Sequence, residues 1–239
     1  MKKKINNLIG FLIVSIIGGL IAQQLVWPWL LKTSFFAQYK KEETPIHITE
    51  EKKIYIEENT ALEEVVEKVE KSVIGVKSIT KQSKVLEGSG LIITSDGLAI
   101  TLAELVPQGS DFSFYVDGEL TSYQILKRDL DNNLALIKLG KENLNTLSFI
   151  EENKIKLGKR VFLFGLIFQE KGKRTKVINE GIIRSLEEDK IKTSLLEGRN
   201  LSGSPLFDVR GNVLGLNKIN EEGRVVTIPI NKIKDFTGF

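Results

Sequence analysis

The sequence predicts an all-β domain of many short strands, set behind a basic and apolar N-terminal segment. Two observations carry the β assignment. Between Val73 and Ile228, apolar runs of strand length alternate with turn signals: Asp96-Gly97, Asp117-Gly118, Arg210-Gly211-Asn212 and Glu222-Gly223. Each signal supplies a residue that takes positive φ at little cost. Ahead of them, one stretch after Thr60 carries helical spacing. Many short strands over roughly 170 residues fit paired β-barrels or a sandwich, and the pattern alone leaves both open.

Composition excludes several functions. The 239 residues allow one sizeable domain with appendages, or at most two small domains, and 41% hydrophobic against 27% charged residues is an ordinary globular balance. A net charge of +3, with lysine and glutamate interspersed, gives no basic face for nucleic acid. The absence of cysteine removes disulfides, thiol catalysis and thiolate metal sites. The single histidine, His47, excludes a multi-histidine metal centre, while carboxylate sites stay open. No cofactor is expected.

Lys2, Lys3 and Lys4 precede an apolar run from Leu8 to Leu31, interrupted by Ser15 and the pair Gln23-Gln24. Spanning a bilayer takes about 20 apolar residues. The lysines favour the cytoplasmic side, and Trp27 and Trp29 fall where an interfacial aromatic belt is expected. Residues 1–35 are therefore expected to form a basic tip and a transmembrane signal-anchor. The protein would be single-pass in the cell membrane, with its main domain extracytoplasmic. The competing reading is a signal peptide cleaved after Ala22, which puts the large Leu20 where a small residue is wanted.

Residues 36–60, rich in Lys, Glu and Thr and carrying Pro45, are expected to be an exposed linker with one extended piece around 46–56. Thr60 and Glu63 fit a capping box opening a helix through about Val69. Leu62, Val65, Val66 and Val69 give that helix one apolar face. Strands are expected at 73–79, 90–94, 98–101, 112–116, 122–126, 134–139, 160–164, 176–184, 191–195, 213–218 and 224–228.

One stretch stands apart chemically. Asn200-Leu201-Ser202-Gly203-Ser204-Pro205-Leu206 places a small serine on a tight turn just ahead of the strand-like segment 207–217. Such a loop can present a nucleophile together with backbone N–H donors aimed at one point.

Further motifs stand in a fixed order around it. Gly88-Ser89-Gly90-Leu91-Ile92-Ile93-Thr94-Ser95-Asp96-Gly97 is a glycine-rich hairpin. Val116-Asp117-Gly118 is followed by Arg128-Asp129 and by Leu134-Ala135-Leu136-Ile137-Lys138-Leu139. Leu157-Gly158, Phe162–Gly165, Gly181-Ile182-Ile183, Ile191–Leu206 and Ile228-Pro229-Ile230 complete the series. Residues from about 61 to 236 thereby resemble the trypsin-fold protease domain of HtrA-type, DegP-like serine proteases.

The resemblance implies an all-β, trypsin-like double β-barrel over 61–239, with an active site in the cleft between two six-stranded barrels. It implies a histidine at the end of the 101–106 segment, an aspartate just before Leu134-Ala135, and the nucleophile at Ser202. The histidine position holds Glu104 and the aspartate position holds Asn133. The oxyanion hole would fall on Asn200, Leu201 and Ser202, where the family has Gly-Asn-Ser-Gly-Gly-Pro and this chain has Asn-Leu-Ser-Gly-Ser-Pro. Asn200 tolerates the left-handed conformation less freely than glycine, and Ser204 adds a side chain.

A serine hydroxyl attacks effectively only when a positioned base near neutral pKa takes its proton. Imidazole does this and then protonates the leaving amine; a carboxylate ionised well below neutral pH does neither well. Asp131 and His47 are the other candidate bases. The expected function is a catalytically impaired HtrA-like serine protease homologue of the cell envelope, with protein or peptide ligands and a regulatory role. The alternatives are an active serine endopeptidase using Ser202 with a non-standard base, and a structural envelope module whose cleft is plugged by large side chains such as Leu196 and Leu201. The family implies PDZ domains, of which none is read here, and trimers, so a homotrimer is possible.

Overall fold

The computed structural model describes residues 2–26, 29, 62–169 and 173–238. The linker, His47, Trp27 and Thr60 lie outside the described residues. The chain divides into two compact units, Met1–Lys52 and Lys53–Phe239.

The first unit contains helix α1 (Lys2–Ile21), continued by a π-helical turn at Ala22–Val26. Ile13, Val14, Ile16, Ile17 and Leu20 are each more than half exposed, as is Trp29. Among the described residues no helix is long and apolar enough to cross a membrane. Lys2, Lys3, Lys4, Asn6 and Asn7 occupy the first turns of α1, and the apolar run continues beyond it into residues that are not described.

The second unit opens with helix α2 (62–70). Val69 is fully buried, and Leu62, Val65 and Val66 pack against the core, as the spacing predicts. A first sheet follows: β1 (Val73–Ile79), β2 (Val85–Ile92), β3 (Leu98–Leu102), β4 (Asp111–Val116), β5 (Glu119–Thr121), β6 (Tyr123–Asp129) and β7 (Leu134–Leu139). Its order is β5-β4-β1-β2-β3-β7-β6. The edge strands β5 and β6 are consecutive and joined through Ser122 alone, so the sheet comes round on itself by chain continuity. The seventh strand is the short β5, absent from the expected set.

The second sheet is a closed six-stranded barrel in the order β10-β13-β12-β11-β8-β9. It comprises β8 (Arg160–Phe168), β9 (Arg174–Glu187), β10 (Lys190–Leu196), β11 (Pro205–Asp208), β12 (Val213–Ile219) and β13 (Arg224–Pro229). In β10, Ile191, Thr193 and Leu195 face inward while Lys192, Ser194 and Leu196 face out. β8 and β9 pair antiparallel from Arg160↔Ile182 to Phe168↔Arg174. Both therefore run longer than expected: β8 continues past Gly165 through Leu166, Ile167 and Phe168, and the β9 ladder takes in the polar Arg174 and Thr175 opposite them.

Pro229 then starts helix α3 (Ile230–Thr237), which sequence reading left unassigned; Ile230, Ile233 and Phe236 are buried. One apolar core is shared by both sheets and includes tilted aromatic neighbours such as Phe162 and Phe207, with ring centroids 5.2 Å apart.

Candidate active site

Ser202 sits at the end of a 3₁₀ turn (Arg199–Leu201) that leads into β11, and is almost fully buried. The turn is tied down from several sides. Ser202 C=O accepts the Ser89 N–H at 2.9 Å, and Gly203 N–H donates to Asn217 C=O at 2.7 Å. The approach of β2 is so close that a Cβ on Gly88 would lie 2.3 Å from the Ser202 oxygen. Gly203 takes φ +80, and a Cβ there would lie 2.2 Å from the Ser89 oxygen. Both positions exclude a side chain, which accounts for the glycines of the hairpin and the loop.

Of the three N–H groups expected to form the oxyanion hole, those of Leu201 and Ser202 are engaged within the turn. The Ser202 N–H donates to Arg199 C=O at 3.0 Å, and the Leu201 N–H donates to Gly198 C=O at 3.0 Å. An oxyanion would need the Ser202 N–H free. Asn200 lies inside the turn and is not among the positive-φ residues, so the left-handed tolerance considered for it goes unused. Asn133, in contrast, does take φ +54.

Ser204 is accommodated by a buried polar chain. Thr227 Oγ1 donates to Asn217 Oδ1 at 2.6 Å, and Asn217 Nδ2 donates to Ser204 Oγ at 3.2 Å. All three residues are fully buried. The extra side chain thus has its own partner.

Glu104 lies in a 3₁₀ turn (Ala103–Leu105) directly after β3, and Asn133 in the turn before β7. β3 and β7 are neighbours, with Leu102 opposite Leu134. This brings the two residues together. The Glu104 N–H donates to Asn133 Oδ1 at 2.9 Å, and Asn133 Nδ2 donates to Glu104 Oε2 at 3.0 Å. Lys218 Nζ, on β12, stands 3.9 Å from the same Oε2. Among the described residues, no base hydrogen-bonds the Ser202 hydroxyl.

Ser202 and Glu104 line one cleft of about 540 Å³, together with Lys84, Val85, Pro107 and Arg199. Asp131 is exposed in the β6–β7 turn and lies off this cleft. Leu201 is buried in the core and Leu196 is 63% exposed, so neither plugs the opening. One wall is a free sheet edge. β3 pairs with β2 only at Leu91 and Ile92. The Ser89 N–H and C=O point away from β1, toward Ser202 and Thr101. By strand alternation the N–H and C=O of Val85 and Glu87 point the same way, with no backbone partner among the described residues.

Comparison with known proteins fits this arrangement. Residues 88–216, more than half of the chain, match the family model of the trypsin-like peptidase domain. The chain belongs to that family. It is 30% identical over 135 residues to a DegP-like periplasmic serine endoprotease of Halomonas elongata, covering 54% of this chain and 28% of that protein. A DegP-like relative from Rhizobium meliloti is 29% identical over 137 residues, covering 55% and 27%. The chain thus spans under a third of these relatives' length. A solved HtrA-type protease, AlgW with tripeptide, superposes with a TM-score of 0.66 at 20% identity, covering 74% of this chain and 62% of that one. The HtrA/DegP-like trypsin fold is therefore what carries this cleft.

Sequence reasoning missed three polar residues of this HtrA-like domain. Lys218 ends the expected strand 213–218, where a lone lysine carries no signal of a site. Lys84 and Arg199 lie in turns, where charge ordinarily means solvation. Only the packing of the two sheets brings them beside Glu104 and Ser202.

Proposed function

We propose that this domain is a catalytically impaired HtrA-like protease homologue that binds extended polypeptide in its cleft. The observation that carries the reading is the closed pair of Glu104 and Asn133. The carboxylate is committed to an amide and a lysine and is not hydrogen-bonded to Ser202. The engaged Ser202 N–H supports the same reading, because that donor is not free to meet charge developing on a substrate carbonyl. Peptide binding is supported by the unpaired edge of β2 at Val85 and Glu87, which suits strand addition.

The periplasmic names of the relatives support an extracytoplasmic domain. The lysines at 2–4 and the exposed apolar side chains of α1 support attachment to a membrane, giving a regulatory or binding role in the cell envelope. A homotrimer is carried only by family likeness.

Two measurements test this. The detergent-solubilised full chain is treated with a fluorophosphonate probe beside Ser202→Ala. No serine-dependent labelling is expected, and labelling lost in the variant would overturn the impaired reading. A fluorescein-labelled peptide of alternating valine and serine is then titrated by anisotropy. Val85→Pro removes an outward N–H and leaves the inward ladder to β1 intact, so the fold should persist. It is expected to weaken binding by roughly tenfold.

A further inference from the structure

The cleft beside Ser202 carries charges that are unequally satisfied. Of its carboxylates, Glu87 is held by Lys77 Nζ at 2.8 Å. Glu104 is held by Asn133 Nδ2 at 3.0 Å, with Lys218 beyond it. Its cations are Lys84 and Arg199, both exposed, and neither has a carboxylate partner among the described residues. They come from different elements: Lys84 from the β1–β2 hairpin of the first sheet, Arg199 from the turn that delivers Ser202. The same cleft has an apolar lining of Val85, Leu86, Leu105 and Pro107.

We infer that the cleft selects acidic polypeptide, an extended segment in which carboxylates alternate with apolar side chains. The segment adds to the free edge of β2. Its carboxylates meet Lys84 and Arg199, and its apolar side chains cover Val85 and Leu105. A basic segment would meet the same two cations with no free carboxylate to offset them, since Glu87 and Glu104 are already engaged. The inference rests on the peptide-binding reading above and adds to it the charge of the ligand. Because both cations are exposed, the effect is one of preference and is salt-dependent.

The test uses the full chain in detergent and three fluorescein-labelled octapeptides of alternating sequence: valine-glutamate, valine-serine and valine-lysine. At low salt the glutamate peptide is expected to bind roughly tenfold more tightly than the lysine peptide, a gap that closes near 1 M salt. Lys84→Glu with Arg199→Glu should invert the order of the glutamate and lysine peptides. Arg199→Gln alone should reduce the glutamate preference about threefold, which keeps the test informative if the double variant misfolds. A charge reversal off the cleft, Lys154→Glu with Lys156→Glu, should leave the order intact. If the serine peptide binds and the glutamate peptide does no better than the lysine one, the inference falls and the peptide-binding reading stands. An equal shift from the off-cleft reversal also overturns it, because net charge would then be the cause. If none of the three peptides binds, the parent reading fails and takes this inference with it.

Discussion

Asn133 donates its side-chain amide to the Glu104 carboxylate and accepts the Glu104 backbone N–H in return. In a His–Asp pair the ring N–H donates and the carboxylate accepts. Here the carboxylate is on the first residue and the donor on the second, so the hydrogen bond is kept with its polarity reversed. The two replacements complement each other, and the pair still fastens β3 to β7.

Asn133→Asp should destabilise the domain by about 1–2 kcal/mol near neutral pH, because it removes the donor and sets one carboxylate against another. Aspartate tolerates the φ of +54 much as asparagine does, so the loss reports the hydrogen bond. Denaturant midpoints of the variant and of Asn133→Asp with Glu104→His check this; the double variant should recover most of the loss.

That double variant should nevertheless remain almost inert toward a fluorophosphonate probe. It restores residue types, but the Ser202 N–H stays bonded to Arg199 C=O at 3.0 Å. Labelling comparable to that of an active serine protease would show that the Arg199–Leu201 turn opens readily.

Gly203→Ala should cost about 3 kcal/mol or more, since the new Cβ meets the Ser89 oxygen at 2.2 Å as well as an unfavourable φ. Gly158→Ala has a similar φ of +75 but open space, and should cost only about 1 kcal/mol. Thermal or urea unfolding of the two separates backbone strain from steric exclusion.

Asn217→Ala should destabilise by about 2–4 kcal/mol, leaving Ser204 and Thr227 buried without their shared partner. Ser204→Gly should cost about 1 kcal/mol, because only the Asn217 amide loses an acceptor. Chemical denaturation of each variant tests the ranking.

Acid should weaken the fold through exposed ion pairs. The Lys138 ammonium, and after it the Thr94 hydroxyl, holds the Asp96 carboxyl below its ordinary range, and Lys192 does the same for Glu187. A lowered folded-state pKa means stabilisation that is present above the ordinary carboxylate range and lost as pH falls through it. Asp96→Asn with Glu187→Gln should flatten the acid limb of the stability profile. Both groups are solvent-exposed, so the flattening should be small and should fade near 1 M salt.

The sequence by itself determined the β class, the entry helix through Val69, most strand positions and the family likeness. Apolar alternation and turn glycines are local signals, and each strand writes its own. It also named Ser202, Glu104 and Asn133, although only through the order of motifs. The tertiary structure decided what those residues do to one another. Leu102 opposite Leu134 sets Glu104 beside Asn133 across 29 positions of chain. Whether the Ser202 N–H faces a ligand or Arg199 depends on the path of one short turn wedged against β2, to which composition and spacing are blind. The free edge of β2 follows from β3 pairing with it only at Leu91 and Ile92, and Lys84 and Arg199 share a cleft only because hairpin and turn meet there; neither leaves a periodic trace in the chain.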